Sequence, residues 1–164
     1  MFSRRLIIAM PALWAIPAAA QPVVVQPAPA QHGEALAAAL VVCWQARGVR
    51  FTPAQVQARI GGRTGKAALL AVAGATESAD GDGEETAVEI AWEAGAPASP
   101  TLPLLVADLA RGLPALLITH DGRALLLHAL GGASADASDP LSGQRLRLLL
   151  SEAALIGRPV IAGA

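Results

Sequence analysis

The sequence has few residues of the kinds that mark several common classes of protein. Its 164 residues include a single cysteine, so no disulfide can form within the chain. Aromatic residues make up 3% of the chain and charged residues 15%, and the net charge is -1 with no basic stripe, which excludes nucleic acid as a partner. Beyond residue 20, no apolar run reaches the roughly 18 residues of a membrane-spanning helix without a charge or a turn, so no membrane span is expected there.

The chain does contain a large share of small and aliphatic residues. Hydrophobic residues make up 54% of the sequence, and most of them are Ala, Leu and Val. The 16 glycines and 12 prolines divide the chain into short elements, which excludes a coiled coil or a long helical bundle. This composition is typical of one small domain that mixes helices and strands.

The first twenty residues have the three parts of an export signal. Arg4 and Arg5 form a short positive region, Leu6–Pro17 is apolar, and Ala18–Ala20 supplies small residues for a cleavage site. We therefore expect a periplasmic or secreted protein that is cleaved after Ala20, with an uncleaved N-terminal anchor as the alternative. An extended Pro-rich arm over 21–32 and a single domain over 33–164 would follow.

Helices are predicted first along the chain. The apolar spacing predicts a helix over Glu34–Arg47, whose start could lie at His32 or at Ala35. Thr52, Pro53 and Gln55 together predict a capping box that opens a second helix ending at Ile60. Ala67–Val72 is a third helix or a strand.

Strands dominate the second half of the sequence. Asp121-Gly122 predicts a two-residue hairpin turn that would place His120 opposite Arg123. Helices followed by antiparallel strands indicate the α+β class, with a helical part packed on a sheet. The remaining elements are strands over Thr86–Trp92, Ala115–Thr119, Arg123–Leu130 and Arg145–Leu150, a helix over Leu104–Arg111, a loop over Gly131–Asp139, and an extended end over Pro159–Ala162.

The order of these elements resembles that of the papain-like cysteine peptidases of the bacteriocin-processing, or C39-like, type. The matching features are Gln26, the first helix ending in Gly48-Val49, the Leu109–Pro114 segment that ends in Gly-Leu-Pro, the following hairpin, and Asp139-Pro140. The resemblance implies a papain-like fold and a cleft between the helical part and the sheet. It covers nearly all of the chain after the export signal.

The residues that the resemblance assigns to catalysis are largely missing. Such a peptidase needs a cysteine thiolate at a helix N-terminus, a histidine that reaches it, and a carboxylate or amide that orients the histidine. The nucleophile position falls on His32 when counted from Gln26, or near Ala35 when counted from Gly48, and the histidine position holds Arg123. Because arginine never deprotonates, the resemblance implies a non-catalytic domain in which Gln26 and Asp139 keep their types.

Two hypotheses follow for the site. In the first, Gln26, His32, His120, Arg123 and Asp139 line a residual cleft that binds a peptide or a protein partner, with Arg123 and His32 holding an anionic group. In the second, Cys43, His128 and Asp139 form a rebuilt peptidase triad, although the apolar stripe around Cys43 indicates a buried thiol. No cofactor is implied, and no spacing indicates a metal site among His32, His120 and Asp139.

Overall fold

The structure, a computed structural model, describes residues 29–72, 74–76 and 84–162. The predicted export signal, Gln26 and most of the predicted arm lie outside these residues. Within the described ranges, no helix is long and apolar enough to cross a membrane.

Three helices come first in the chain and a fourth lies among the strands. They are α1 (Pro29–Gln45), α2 (Pro53–Ile60), α3 (Gly65–Val72) and α4 (Leu102–Ala110). The predicted capping box of α2 is confirmed, because the Thr52 and Gln55 side chains each accept a hydrogen bond from the other's backbone N–H. The start of α1 corrects the sequence prediction: residues 29–32 belong to the helix and not to an extended arm.

The strands form one seven-stranded sheet in which every pair of neighbours is antiparallel. In chain order they are β1 (Gly74–Thr76), β2 (Glu84–Glu93), β3 (Ala115–Thr119), β4 (Ala124–Gly131), β5 (Ser134–Ser138), β6 (Arg145–Leu149) and β7 (Ala153–Ala162). Their order across the sheet is β1-β2-β7-β3-β4-β5-β6. The last strand in the chain therefore lies near the middle of the sheet, and β6 forms one edge.

Both faces of the sheet are covered by helices, which explains why β3 is apolar at nearly every position. Leu116 and Ile118 point into a core shared with α1, α2 and α3, which includes Leu40 and Trp44. The alternate residues of β3 point to the opposite face, where Leu105 of α4 packs. The α+β class predicted from the sequence is confirmed, with helices on both sides of the sheet.

One predicted loop is in fact a strand. The segment over Gly131–Asp139 contains β5, which pairs with β4 on one side and with β6 on the other. Its residues are Ser, Ala and Asp, which have low intrinsic preference for strands. Ala135 and Ala137 are fully buried between larger leucines, so tertiary packing selects these small residues.

Candidate functional site

The first turn of α1 lies against the turn that joins β3 to β4. A methyl group at Gly122 would lie 3.5 Å from His32 Nδ1, so the imidazole packs directly on this turn. His32 Nε2 is buried and has no hydrogen-bond partner among the described residues. The fold thus brings the residue that the resemblance assigns to the nucleophile position against the β3–β4 hairpin.

The hairpin turn differs from the two-residue turn predicted from the sequence. Thr119 N donates to Arg123 O at 3.0 Å, and Gly122 N donates to Thr119 O at 3.0 Å, so three residues, 120–122, form the loop. Gly122 has a φ of 86°, in the left-handed region that closes a three-residue hairpin loop. His120 therefore does not face Arg123. It is exposed in the loop, and its backbone N–H donates to Glu152 O at 3.1 Å.

Side chains fix the conformation of this loop. The Thr119 hydroxyl donates to Asp121 and accepts from the Arg123 backbone N–H at 3.0 Å. The hydrogen bond from Thr119 lowers the pKa of Asp121 below its ordinary value, and the charge of His32 contributes to the same shift. Asp121 therefore stays ionised at neutral pH beside His32.

Arg123 and Asp139 form an ion pair at the start of β4 and the end of β5. Arg123 Nη2 lies 3.1 Å from Asp139 Oδ2, and the other carboxylate oxygen accepts from the backbone N–H groups of Leu141 and Ser142 at 2.8 and 3.0 Å. Burial raises the pKa of Asp139, but these hydrogen bonds and the Arg123 charge outweigh it, so the pKa lies below its ordinary value. The pair is therefore a cation and an anion at neutral pH, and Arg123 cannot act as a base because its guanidinium does not deprotonate.

A concavity of about 440 Å³ opens beside this ion pair, on the face of the sheet that carries α4. Its floor is apolar, and its rim carries charged and polar groups from the hairpin and from the segment after β6. Arg123 and His120 line it, whereas Asp139 reaches it only through Arg123, and His32 touches the hairpin from the α1 side. The lining residues are Thr119, His120, Asp121, Arg123, Leu125, Leu146, Leu148, Ser151 and Glu152.

Cys43 lies in the helix-side core and not at a site. Its side chain is fully buried, and burial raises the pKa of its thiol to about 12, against a smaller opposing effect of Arg47. The prediction of a buried thiol is confirmed. A thiolate at this position is strongly disfavoured at neutral pH.

His128 bonds Ser138, for which the sequence carries no signal of a site residue. Its Nε2 lies 2.7 Å from the hydroxyl of Ser138, which is only 6% exposed. Burial, with a smaller effect from the Arg145 charge, lowers the pKa of His128, so the ring is neutral at pH 7. The alternation in the sequence predicts that Leu126, His128 and Leu130 share one face, but an irregularity between Leu127 and Ala129 places Leu126 in the helix-side core and Leu130 against the α4-side core. Strand β5 was needed to find the partner of His128. Among the described residues, His128 has no hydrogen bond to Cys43 or Asp139.

A second polar cluster joins the turn after α1 to α4 and β7. The carboxylate of Asp108 is 2% exposed and accepts from Arg158 Nε at 2.7 Å, from Arg111, and from Arg47 Nη2 at 3.4 Å. Burial raises the pKa of Asp108, but the hydrogen bonds and charges of these arginines hold it below its ordinary value. Asp108 is the one charged residue of α4, and a lone acid in an apolar helix is the sequence signal that could have revealed this cluster.

Neither the described residues nor comparison with known proteins indicates a cofactor. In the part of the chain that the structure describes, no group of three or more His, Cys, Asp or Glu side chains could hold a metal ion. No protein-family model, curated protein or solved structure matches this chain.

Proposed function

We propose that this protein is an exported, non-catalytic domain related to the C39-like papain-fold peptidases, and that it binds an extended peptide of a partner protein. The observation that carries the proposal is the Arg123–Asp139 ion pair, whose arginine lines the concavity on the α4 face of the sheet. In such a peptidase these positions would hold the general base and the residue that orients it. Here they hold an arginine and a carboxylate that are both charged at neutral pH, and the arginine can bind an anionic group but cannot serve as a general base.

The position that the resemblance assigns to the nucleophile fits the same proposal. Counted from Gln26 it holds His32, and no thiol lies near it, because Cys43 is buried about three helical turns further along α1. Since the Cys43 pKa is raised to about 12 and His128 bonds Ser138, the alternative triad of Cys43, His128 and Asp139 gains no support from the geometry.

The concavity beside Arg123 has the chemistry of a peptide site. Leu125, Leu146 and Leu148 form the apolar floor of the concavity. The volume of the concavity, about 440 Å³, is large enough for one or two peptide side chains. Arg123 uses one of its five N–H donors on Asp139, so the others are available to a peptide carbonyl or carboxylate.

A library of random heptapeptides displayed on phage, panned on the purified full-length chain, tests this proposal. We expect enrichment of peptides with an aliphatic anchor residue, and we expect Arg123→Ala to weaken their affinity about tenfold or more, since it removes a charge-assisted hydrogen bond. Arg50→Ala is the matched control: Arg50 is exposed beyond the opposite end of α1.

Two results would refute the proposal. One is the absence of enriched peptides, or peptides that bind the Arg123→Ala variant as tightly as the unchanged protein. The other is hydrolysis of a quenched-fluorescence peptide library that Cys43→Ala abolishes, which would establish the alternative cysteine peptidase.

A further inference from the structure

We infer that the open edge of β6 binds an extended peptide as an additional antiparallel strand, and that this peptide alternates acidic and apolar side chains. The inference deepens the proposed function, because it rests on the domain binding an extended peptide and adds where the peptide backbone docks. It is carried by the unpaired backbone groups, the two arginines and the leucines of one short strand.

The backbone of β6 has unused hydrogen-bonding groups on its outer side. Among the described residues, β6 has a neighbour only in β5. Asp139 N donates to Gln144 O at 2.9 Å, and Leu150 N donates to Ala133 O at 2.8 Å. Because hydrogen-bonded pairs alternate along an antiparallel ladder, Leu146 and Leu148 bond β5, and the backbone groups of the residues between and beside them point outwards.

The outward-pointing residues of β6 are Arg145, Arg147 and Leu149. The backbone N–H of Leu149 is taken by the Glu152 carboxylate at 2.8 Å, which ends the free edge there. The N–H and C=O groups of Arg145 and Arg147 remain available to an added strand. Such an edge is the template for β-strand addition of a peptide.

The side chains of the two arginines select an acidic partner. Arg147 lies 3.3 Å from Asp136, and both side chains are largely exposed. Arg145 forms no ion pair within the described ranges, and its charge acts on His128 across the sheet. Residues of an added strand that lie opposite Arg145 and Arg147 would share their face, and carboxylates there would be paired across the strands.

The opposite face of β6 selects apolar residues at the alternate positions. Leu146 and Leu148 point into the concavity beside Arg123, so partner residues opposite them would extend its apolar floor. An acidic and apolar alternation with a period of two therefore matches both faces of this edge.

The test uses a capped hexapeptide of alternating Glu and Val residues and the purified full-length chain. Binding is measured by fluorescence anisotropy of the labelled peptide. In antiparallel pairing, the Glu residues lie opposite Arg145 and Arg147, so their backbone N–H groups face β6 and those of the Val residues face away. We expect N-methylation of the Glu residues to abolish binding and N-methylation of the Val residues to change the affinity less than about threefold, since only the former removes hydrogen bonds to β6.

A charge exchange gives a second, independent measurement. Arg145→Glu should weaken binding of the Glu-Val peptide at least about tenfold and should allow binding of the corresponding Lys-Val peptide. Arg50→Glu is the matched control and should leave both affinities unchanged. Equal binding of the two N-methylated peptides, or an unchanged preference in Arg145→Glu, would overturn the inference.

The two proposals fail in different ways. If Arg123→Ala removes binding of the phage-selected peptides while Arg145→Glu and N-methylation have no effect, the concavity binds peptides and the β6 inference is wrong. If the N-methylation pattern is seen while Arg123→Ala leaves all peptide binding intact, the β6 edge is the docking site and Arg123 does not take part.

Discussion

The strongest test of the fold is the substitution Asp108→Asn, which removes the buried negative charge that joins three elements. Asp108 is 2% exposed, and it neutralises Arg47, in the turn after α1, and Arg158 of β7, whose side chains are 8% and 20% exposed. Removing one partner of a buried ion pair typically costs about 3–5 kcal/mol, because a charge is left buried without compensation.

The structure places the expected cost at the lower end of that range. Arg47 keeps hydrogen bonds to the carbonyls of Cys43 and Pro114, both at 2.9 Å, and Arg158 keeps its ion pair with Glu89 at 3.2 Å. Asparagine also retains one acceptor oxygen. We therefore expect Asp108→Asn to lower the free energy of unfolding by about 3 kcal/mol.

Urea denaturation followed by tryptophan fluorescence measures this change, since Trp44 is buried in the helix-side core. The matched control is Asp136→Asn, which breaks an ion pair between largely exposed side chains and should cost less than about 1 kcal/mol. If Asp108→Asn lowers the free energy of unfolding no more than Asp136→Asn does, the reasoning is refuted, because the carboxylate then does not join the three elements.

The pH dependence of the free energy of unfolding, measured for the unchanged protein and for Asp108→Asn, tests whether the ionised carboxylate stabilises the fold. The pKa of Asp108 lies below its ordinary value of 3.8 in the folded protein. The stability that the carboxylate supplies is therefore fully present above pH 3.8, and it is lost as the pH falls from there through the folded pKa. The stability difference between the unchanged protein and Asp108→Asn should shrink over this acid range, and a difference that grows instead would contradict the assignment.

Three further outcomes follow from single positions. Cys43 should resist alkylation at neutral pH in the native protein and react fully in denaturant, because burial raises the pKa of its thiol to about 12. Mass spectrometry measures the alkylation, and rapid labelling of the native protein would contradict a core position. Thr86→Val should raise the free energy of unfolding by about 1 kcal/mol, since the Thr86 hydroxyl is buried without a partner, and a loss of stability in urea denaturation would show that the hydroxyl is bonded. Gly157→Ala should cost about 1–3 kcal/mol in the same assay, because its methyl group would lie 2.6 Å from Val88 Cγ1; Gly131→Ala, which meets nothing closer than 3.8 Å, is the control and should cost far less.

Local signals in the sequence were sufficient where residues close together in the chain set the structure. The capping box at Thr52 and Gln55 predicts the start of α2, and the structure forms both hydrogen bonds of it. Strand β3 has the bounds predicted from its apolar run. The stripe of apolar residues around Cys43 predicts its burial, because a helix that packs on a sheet turns one continuous face inwards.

Local signals failed where distant residues decide the conformation. Strand β5 lacks β-branched and aromatic residues, and it is a strand because β4 and β6 supply hydrogen bonds on both sides. This effect is not visible in a window of neighbouring residues. The hairpin after β3 is a different case: it takes three residues instead of two because the nearby Thr119 side chain bonds Asp121 and the Arg123 backbone and so stabilises the longer loop, which the Asp-Gly pair alone does not indicate.

The candidate site likewise combines features that the local sequence determines with features that only the tertiary structure determines. The sequence by itself determined that Arg123, which cannot serve as a base, follows the Asp121-Gly122 turn, and that Cys43 lies in an apolar stripe. Only the tertiary structure decided that Arg123 pairs with Asp139, that His128 bonds Ser138, and that β6 leaves an open edge. The physical reason is that side-chain type and period are local properties of the chain, whereas the partners of a charge, a ring nitrogen or an edge strand depend on which distant segments the sheet brings together.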